Sequence, residues 1–199
     1  MRLINLILKF ILDYSLAFFF LILFFIPFVI ISVAIYLIDG SPIFFIQKRA
    51  GKDGRIIKVF KFKTLVGTKL DKKVTKLGIF LRITRLDEIP QIFNVLKGEL
   101  SFVGPRPLYT KYIKLYNSDQ KKRLDMKPGI TGWAQVHGDN NISWKRKFNL
   151  DIWYVKNFNI FIDIKVIFLT ISFLIKSILF YNKIKNKKII IDKEFNGKN

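Results

Sequence analysis

The sequence predicts a mixed α/β, helix-rich single domain with a small β-hairpin, joined to an N-terminal apolar membrane helix. Three observations carry that prediction. Tyr14 to Ile38 runs without a charged residue and is interrupted by Pro27. Two β-branched and aromatic stretches, Pro42–Gln47 and Arg55–Phe62, flank Ala50-Gly51-Lys52-Asp53-Gly54, the pattern of a hairpin closed by a Gly-containing loop. Beyond Leu77, apolar positions recur at helical spacing between Gly and Pro stops.

The apolar run is long enough to cross a bilayer, for which about 20 residues suffice. It is too long for a secretory signal and no small-residue cleavage site follows it. Pro27 has no N–H and clashes with the Leu23 carbonyl, so the helix must bend or break there. The halves Tyr14–Ile26 and Phe28–Ile38 are each about 18 Å long at 1.5 Å per residue, too short to cross alone. Both flanks are basic: Arg2 and Lys9 before, Lys48, Arg49, Lys52 and Arg55 after. The positive-inside tendency would keep both ends on one side, which suits a re-entrant hairpin. A Pro-kinked spanning helix is the other reading.

After the hairpin, Val66–Lys76 reads as loop, Leu77–Ile83 as a short helix and Pro90–Lys97 as another. The latter has Pro at its first turn and Gly98 as its stop. Tyr109–Leu124 looks helical and basic, and Trp144–Asn157 is amphipathic. Ile160–Phe180 is apolar but carries Asp163, Lys165 and Lys176, which suits an interfacial or packed helix. The Lys- and Asn-rich stretch after Tyr181 reads as loosely ordered. The resulting divisions are a membrane-anchoring segment 1–39, a main domain 40–182 and a basic tail 183–199.

Composition narrows the chemistry. With 35 Lys plus Arg against 14 Asp plus Glu, the formal net charge of +21 calls for an anionic partner. Apolar residues at 51% and aromatics at 16% exclude a disordered basic tail. The chain has no Cys and one His, which excludes disulfides and thiolate centres and leaves little room for multi-His metal sites. Catalysis would have to come from carboxylates, Arg, Lys and backbone.

Three constellations could supply it. Asp87-Glu88 sits before Pro90, near the positive end of a predicted helix, with Arg82 and Arg85 within two turns. One carboxylate could hold a divalent cation while the other attacks phosphorus; a plain helix-start charge preference is the competing explanation. Gly104-Pro105-Arg106-Pro107 fixes the backbone on both sides of an Arg, which suits phosphate recognition or a rigid surface turn. In residues 128–140, glycines could admit a ligand to the backbone and Trp133 offers a face, while His137 reads as a loop residue without an acid/base role. Among the basic residues from Lys48 to Lys76, Lys61 is the one singled out from a solvated face.

Taken together these strings resemble the bacterial sugar transferase family, the monotopic polyprenol-phosphate phosphoglycosyl transferases. The matching strings, in the family's order, are GSPIFFIQKRAGKDG, KVFKFKT, LGIFLRITRLDEIPQIFNVLKGELSFVGPRP, KPGITGWAQV, NNISWKRKFNLDIWYVKN and IDIKVIFLT. The closing EFNGKN is similar to the end of Campylobacter-type enzymes that begin N-glycan assembly. The resemblance implies transfer of a sugar-1-phosphate from a UDP-sugar to undecaprenyl phosphate at the cytoplasmic face of a bacterial inner membrane, with release of UMP. It implies Asp87 as a nucleophile that forms a covalent phospho-sugar intermediate. Glu88 with Asp87 would hold Mg²⁺, and Arg82, Arg106 and Lys61 would bind phosphate. It also implies a monotopic protein on a re-entrant helix broken at Pro27. Membrane lipid is then a partner, nucleic acid is not, and the exposed apolar faces on 160–180 leave room for a homodimer.

The chain departs from the family in three places. Ile26 stands where relatives often have Ser before the Pro. The loop between Lys63 and Thr75 is short and lacks the usual acidic stretch. His137-Gly138-Asp139-Asn140 replaces a common NGRN, with Asp139 where an Arg is expected. An inactive membrane adaptor and a membrane-tethered nucleic-acid binder are the alternatives in function.

Overall fold

A computed structural model describes residues 2–67, 71, 73–138, 142–180 and 194–197 of the chain. The apolar segment forms α1 (Arg2–Leu23) and α2 (Phe25–Asp39). α1 ends at the residue whose carbonyl Pro27 cannot serve, because proline lacks the N–H and its ring crowds that position.

The first half is longer than its uncharged run suggests. α1 begins at Arg2 and spans 22 residues, about 33 Å. Among the described residues it is the one helix long and apolar enough to cross a membrane. The expectation that neither half could cross is therefore corrected for the first.

Length is only part of the account, because the start of α1 is tied to the domain. Lys9, Asp13 and Ala17 recur every four residues and are the buried face of this helix. Lys9 Nζ donates to the Val103 carbonyl at 2.7 Å and pairs with Asp163 at 2.6 Å. Asp13 accepts from Ser101 Oγ and Phe102 N–H, each at 2.9 Å. The end of α2 is tied as well: Thr75 Oγ1 donates to Asp39 at 3.0 Å, and Lys63 Nζ to the carbonyls of Asp39 and Gly40 at 2.7 and 2.8 Å. Both ends of the apolar segment thus bind one domain.

β1 (Phe44–Ala50) and β2 (Ile56–Phe62) pair antiparallel, from Phe44 opposite Phe62 to Ala50 opposite Ile56. Ile57 and Val59 point into a core shared with Ala17, Ile92, Val95 and Leu100. At the end of the strand, Phe62 packs with Ile31, Ile35 and Leu81, so α2 covers the hairpin. The stretch read as loop instead contains β3 (Leu65–Val66) and β4 (Lys73–Val74), antiparallel strands too short for a readable alternation.

α3 (Lys76–Thr84) is capped by Thr75, whose Oγ1 accepts from Gly78 N–H at 2.8 Å. A 3₁₀ turn, Leu86–Gln91, leads into α4 (Ile92–Leu96), after which Gly98 at φ +72° reverses the chain. The basic stretch 109–124 is not one helix. It breaks into a 3₁₀ turn Thr110–Leu115, α5 (Ser118–Lys121) and a second 3₁₀ turn Lys122–Asp125. Asn117 causes the break by forming a reciprocal capping box with Gln120.

β5 (Ser101–Val103) and β6 (Gly129–Thr131) pair in parallel. A Cβ on Gly129 would lie 2.1 Å from Gly104 N, and one on Gly132 2.1 Å from Gly104 O. These glycines admit another backbone, not a ligand, which corrects the sequence reading. α6 (Trp133–Val136), α7 (Trp144–Asn157) and α8 (Ile160–Leu179) complete the domain. Tyr154, Val155, Phe158 and Val166 pack on Val103. Phe195 is 3% exposed and joins Tyr112, Tyr116, Trp144 and Phe148, so Glu194–Gly197 is docked where loose order was expected.

Candidate active site

The site forms where β2, α3, the turn Leu86–Gln91 and the loop after β5 meet. On β2, Ile57, Val59 and Lys61 share a face; the first two enter the core, and Lys61 takes the next inward place. Its Nζ reaches Glu88 Oε1 at 2.6 Å. α3 ends in Arg85, a non-Gly residue held at φ +59°, ψ 15°, a left-handed conformation that costs about 1 kcal/mol. That turn sends Leu86 inward and places Asp87 and Glu88 in the following 3₁₀ turn, both buried. The dyad is therefore inside a turn that precedes α4, and α4 starts at Ile92, two residues after Pro90. Burial and neighbouring cations, more than a helix dipole, set its electrostatics.

Three cations converge on Glu88 Oε1: Lys61 at 2.6 Å, Arg106 at 3.8 Å and Arg85 at 4.0 Å. Burial alone would push Glu88 up, but Lys61, Arg106 and Arg85 together outweigh it and hold it well below the usual carboxylate range. Asp87 forms no ion pair among the described residues. Burial first, and then the Glu88 charge, raise it to about 6 against the partial opposition of Lys61, Arg85 and Arg82. Two adjacent carboxylates are thereby divided: one fixed as an anion, the other more basic than an ordinary Asp.

Of the residues expected to bind phosphate, Lys61 and Arg106 meet at Glu88. Arg82 instead donates its Nε to Thr64 Oγ1 at 2.9 Å, which orients it from the neighbouring strand end. Arg85, read in sequence only as compensating charge, belongs to the Glu88 cluster.

The loop that carries Arg106 is clamped by groups the sequence reading did not single out. Ala50 N–H donates to the Leu108 carbonyl at 2.9 Å, and Arg49 stacks on the Tyr109 ring at 3.8 Å. Arg123 Nη2 donates to the Arg106 carbonyl at 2.7 Å and to Asp151 at 2.8 Å. Asp151 had left a signal, since it shares one face of α7 with Phe148 and Val155, where a charge needs a buried partner. Trp133 does not present an open ring: it stacks on Trp153 at 4.7 Å and meets His137 at 4.1 Å. The exposed His137 is bonded through Nδ1 to the Trp133 carbonyl. Asp139 and Asn140 lie outside the described residues.

No group of three or more His, Cys, Asp or Glu side chains gathers to hold a metal among the described residues. The donor set on offer is the Asp87–Glu88 pair. Two carboxylates suit Mg²⁺, which is commonly held by one or two such groups with substrate phosphates completing its shell. The Asp87 carboxylate, without an ion pair among the described residues, fits that role.

A sequence profile described as bacterial sugar transferase matches residues 4–177. The chain belongs to the bacterial sugar transferase family. Similar family members include the uncharacterized sugar transferase EpsL of Bacillus subtilis (strain 168), 47% identical over 140 residues, 66% of this chain and 69% of the relative. The galactosyl transferase CpsE of Streptococcus agalactiae serotype III (strain NEM316) is 40% identical over 167 residues, 70% of this chain and 37% of the relative. The UDP-glucose:undecaprenyl-phosphate glucose-1-phosphate transferase of Escherichia coli (strain K12) is 38% identical over 159 residues, 71% of this chain and 34% of the relative. The matched part is thus about a third of the length of the latter two.

Proposed function

We propose that this protein is a phosphoglycosyl transferase that moves a sugar-1-phosphate from a UDP-sugar to undecaprenyl phosphate at the cytoplasmic face of the membrane, releasing UMP. The observation that carries this reading is the divided dyad: a buried Asp87 with no ion pair among the described residues, raised to about 6, beside a Glu88 held ionised by Lys61, Arg106 and Arg85. The names of the glucose- and galactose-transferring relatives support the substrate class.

Asp87 is the nucleophile. Its carboxylate attacks the phosphorus that bears the sugar, a P–O bond forms to Asp87, and the bond to the uridine phosphate breaks. That oxygen leaves with the electron pair as UMP. A phosphate oxygen of undecaprenyl phosphate then attacks the same phosphorus, and Asp87 departs as a carboxylate. The lipid is left carrying a diphospho-sugar. A carboxyl of raised basicity attacks better than an ordinary Asp, yet it is mostly ionised at pH 7. Lys61, Arg106 and Arg82 offset charge on the phosphates. Glu88 and Asp87 would hold Mg²⁺, which when bound neutralises phosphate charge. In this reading Glu88 fixes the cations in place and never leaves its ionised form.

The two ends of the apolar segment, tied through Lys9 and Asp13 at one end and Asp39 at the other, favour a re-entrant segment over a spanning helix. A spanning helix would place those ends on opposite sides of the bilayer, whereas here one domain holds both. This monotopic arrangement brings the dyad toward the headgroups, where the phosphate of a lipid acceptor sits. The decisive assay is UMP release in nanodiscs with undecaprenyl phosphate and Mg²⁺, across a panel of UDP-sugars. Release for at least one donor is expected, lost in Asp87→Asn and on chelation. Equal release from Asp87→Asn, or no release from folded, membrane-bound protein with any donor, contradicts the proposal.

A further inference from the structure

The docked segment Glu194–Gly197 touches the site through a short chain of contacts. The Phe195 ring lies 5.0 Å from Phe148, 5.5 Å from Trp144, 5.7 Å from Tyr112 and 6.1 Å from Tyr116. Its N–H donates to Tyr112 Oη at 3.3 Å, and Glu194 pairs with Lys111 at 2.8 Å. The Lys111 pair is exposed and adds little, whereas the Phe195 ring is buried and anchors the segment in the cage.

Tyr116 links that cage to the site. Its hydroxyl accepts from Arg123 Nη1 at 3.3 Å, while Arg123 Nε donates to Asp151 at 3.1 Å. A guanidinium is a planar fork. With one edge on Asp151 and one nitrogen on Tyr116, its remaining direction is fixed on the Arg106 carbonyl at 2.7 Å. The Arg106 guanidinium in turn stands 3.8 Å from Glu88. Trp144 and Phe148, two of the cage rings, also wall the recess beside Arg106 together with Gln135 and Lys147. In that recess Gln135 Oε1 is buried without a hydrogen-bond partner among the described residues.

We propose that Phe195 is a positioning residue for the donor phosphates: by seating Tyr116 and, through it, Arg123, the docked segment sets the loop that carries Arg106. This rests on the transferase reading above. A segment nearly 90 residues downstream of Arg106 then governs how tightly the nucleotide sugar is held, while the nucleophile Asp87 is untouched.

The test uses the full chain in nanodiscs. Phe195→Ala should raise the KM for the UDP-sugar about tenfold, leave kcat within about threefold and leave the KM for undecaprenyl phosphate unchanged. Amide exchange in residues 106–109 should accelerate. Phe195→Leu, which keeps most of the bulk, should restore both readouts. Tyr116→Phe keeps the ring and the cage but removes the acceptor for Arg123, so it should raise the donor KM without lowering the melting temperature. The proposal is overturned if Phe195→Ala and Tyr116→Phe retain the wild-type donor KM. It is equally overturned if both KM values and kcat change together with exchange rising throughout the domain. A wild-type chain that releases no UMP refutes the transferase reading. Exchange at 106–109 still decides the contact chain in that case: faster exchange in both variants supports it, and unchanged exchange overturns it.

Discussion

Replacing Asp87, the proposed nucleophile, should make the protein more stable. Asp87 is buried, and its carboxyl is lifted from an ordinary 3.8 to about 6. Keeping it ionised in the native state at pH 7 therefore costs about 3 kcal/mol relative to the unfolded chain, at 1.36 kcal/mol for each pH unit. The folded state holds this proton more tightly than the unfolded one. The stability that follows is complete below about pH 4 and is lost as pH rises through about 6. Asn has nearly the same shape and cannot ionise, so Asp87→Asn escapes the loss and also relieves the repulsion on Glu88. The variant should exceed wild type by up to about 3 kcal/mol at pH 7, a rise in Tm of about 6–12 °C for a chain of this size. The advantage should shrink toward zero near pH 4. Thermal melts followed by tryptophan fluorescence in detergent, from pH 4 to 7, measure it directly. A variant no more stable than wild type at pH 7, or an advantage independent of pH, would refute the electrostatic account of the dyad.

Other consequences can be checked separately. The first-turnover release of UMP should fall about tenfold per pH unit below about 6, as Asp87 takes up its proton; a rate flat between pH 7 and 5 contradicts this. Lys61 helps hold Asp87 down, so Lys61→Met should move that acid limb to higher pH, and a limb displaced to lower pH would count against the geometry. Asp163→Asn strips the charge partner from Lys9, a buried pair at 2.6 Å, and should cost about 3–5 kcal/mol in denaturant titrations; a loss under about 1 kcal/mol would show that the pair does not tie α1 to the domain. Gly129→Ala drives a Cβ to 2.1 Å from Gly104 N and should cost at least about 3 kcal/mol or prevent folding. Wild-type melting of that variant would contradict the close approach of the two backbones.

The parts legible in the sequence were those fixed by local pattern. α7 runs over Trp144–Asn157 as its periodicity indicates, because Ser143 caps a clear amphipathic face. The hairpin follows from β-branched and aromatic stretches on either side of the loop with Gly51 and Gly54, and the dyad stands out as adjacent carboxylates among basic residues. The misread parts depend on distant partners. Lys9 reads in sequence as a basic flank of the apolar run, but Asp163 makes it part of the buried face of α1, beside Asp13, which Ser101 and Phe102 hold. The basic stretch 109–124 hid Arg123 among solvated lysines; only the fold brings Asp151 to it. Nor does local pattern show that Thr64 orients Arg82, a bond set by the meeting of α3 with the end of β2.

The covalent bond proposed between Asp87 and the sugar phosphate can be looked for directly. The protein should be mixed with a UDP-sugar that supports UMP release, without the lipid acceptor, quenched in acid and digested for mass spectrometry. The account predicts one UMP per chain and a peptide containing Asp87 heavier by one sugar phosphate, lost when undecaprenyl phosphate is added and absent from Asp87→Asn. Turnover that produces UMP only when the acceptor is present, with no adduct on Asp87 at any time, would contradict it.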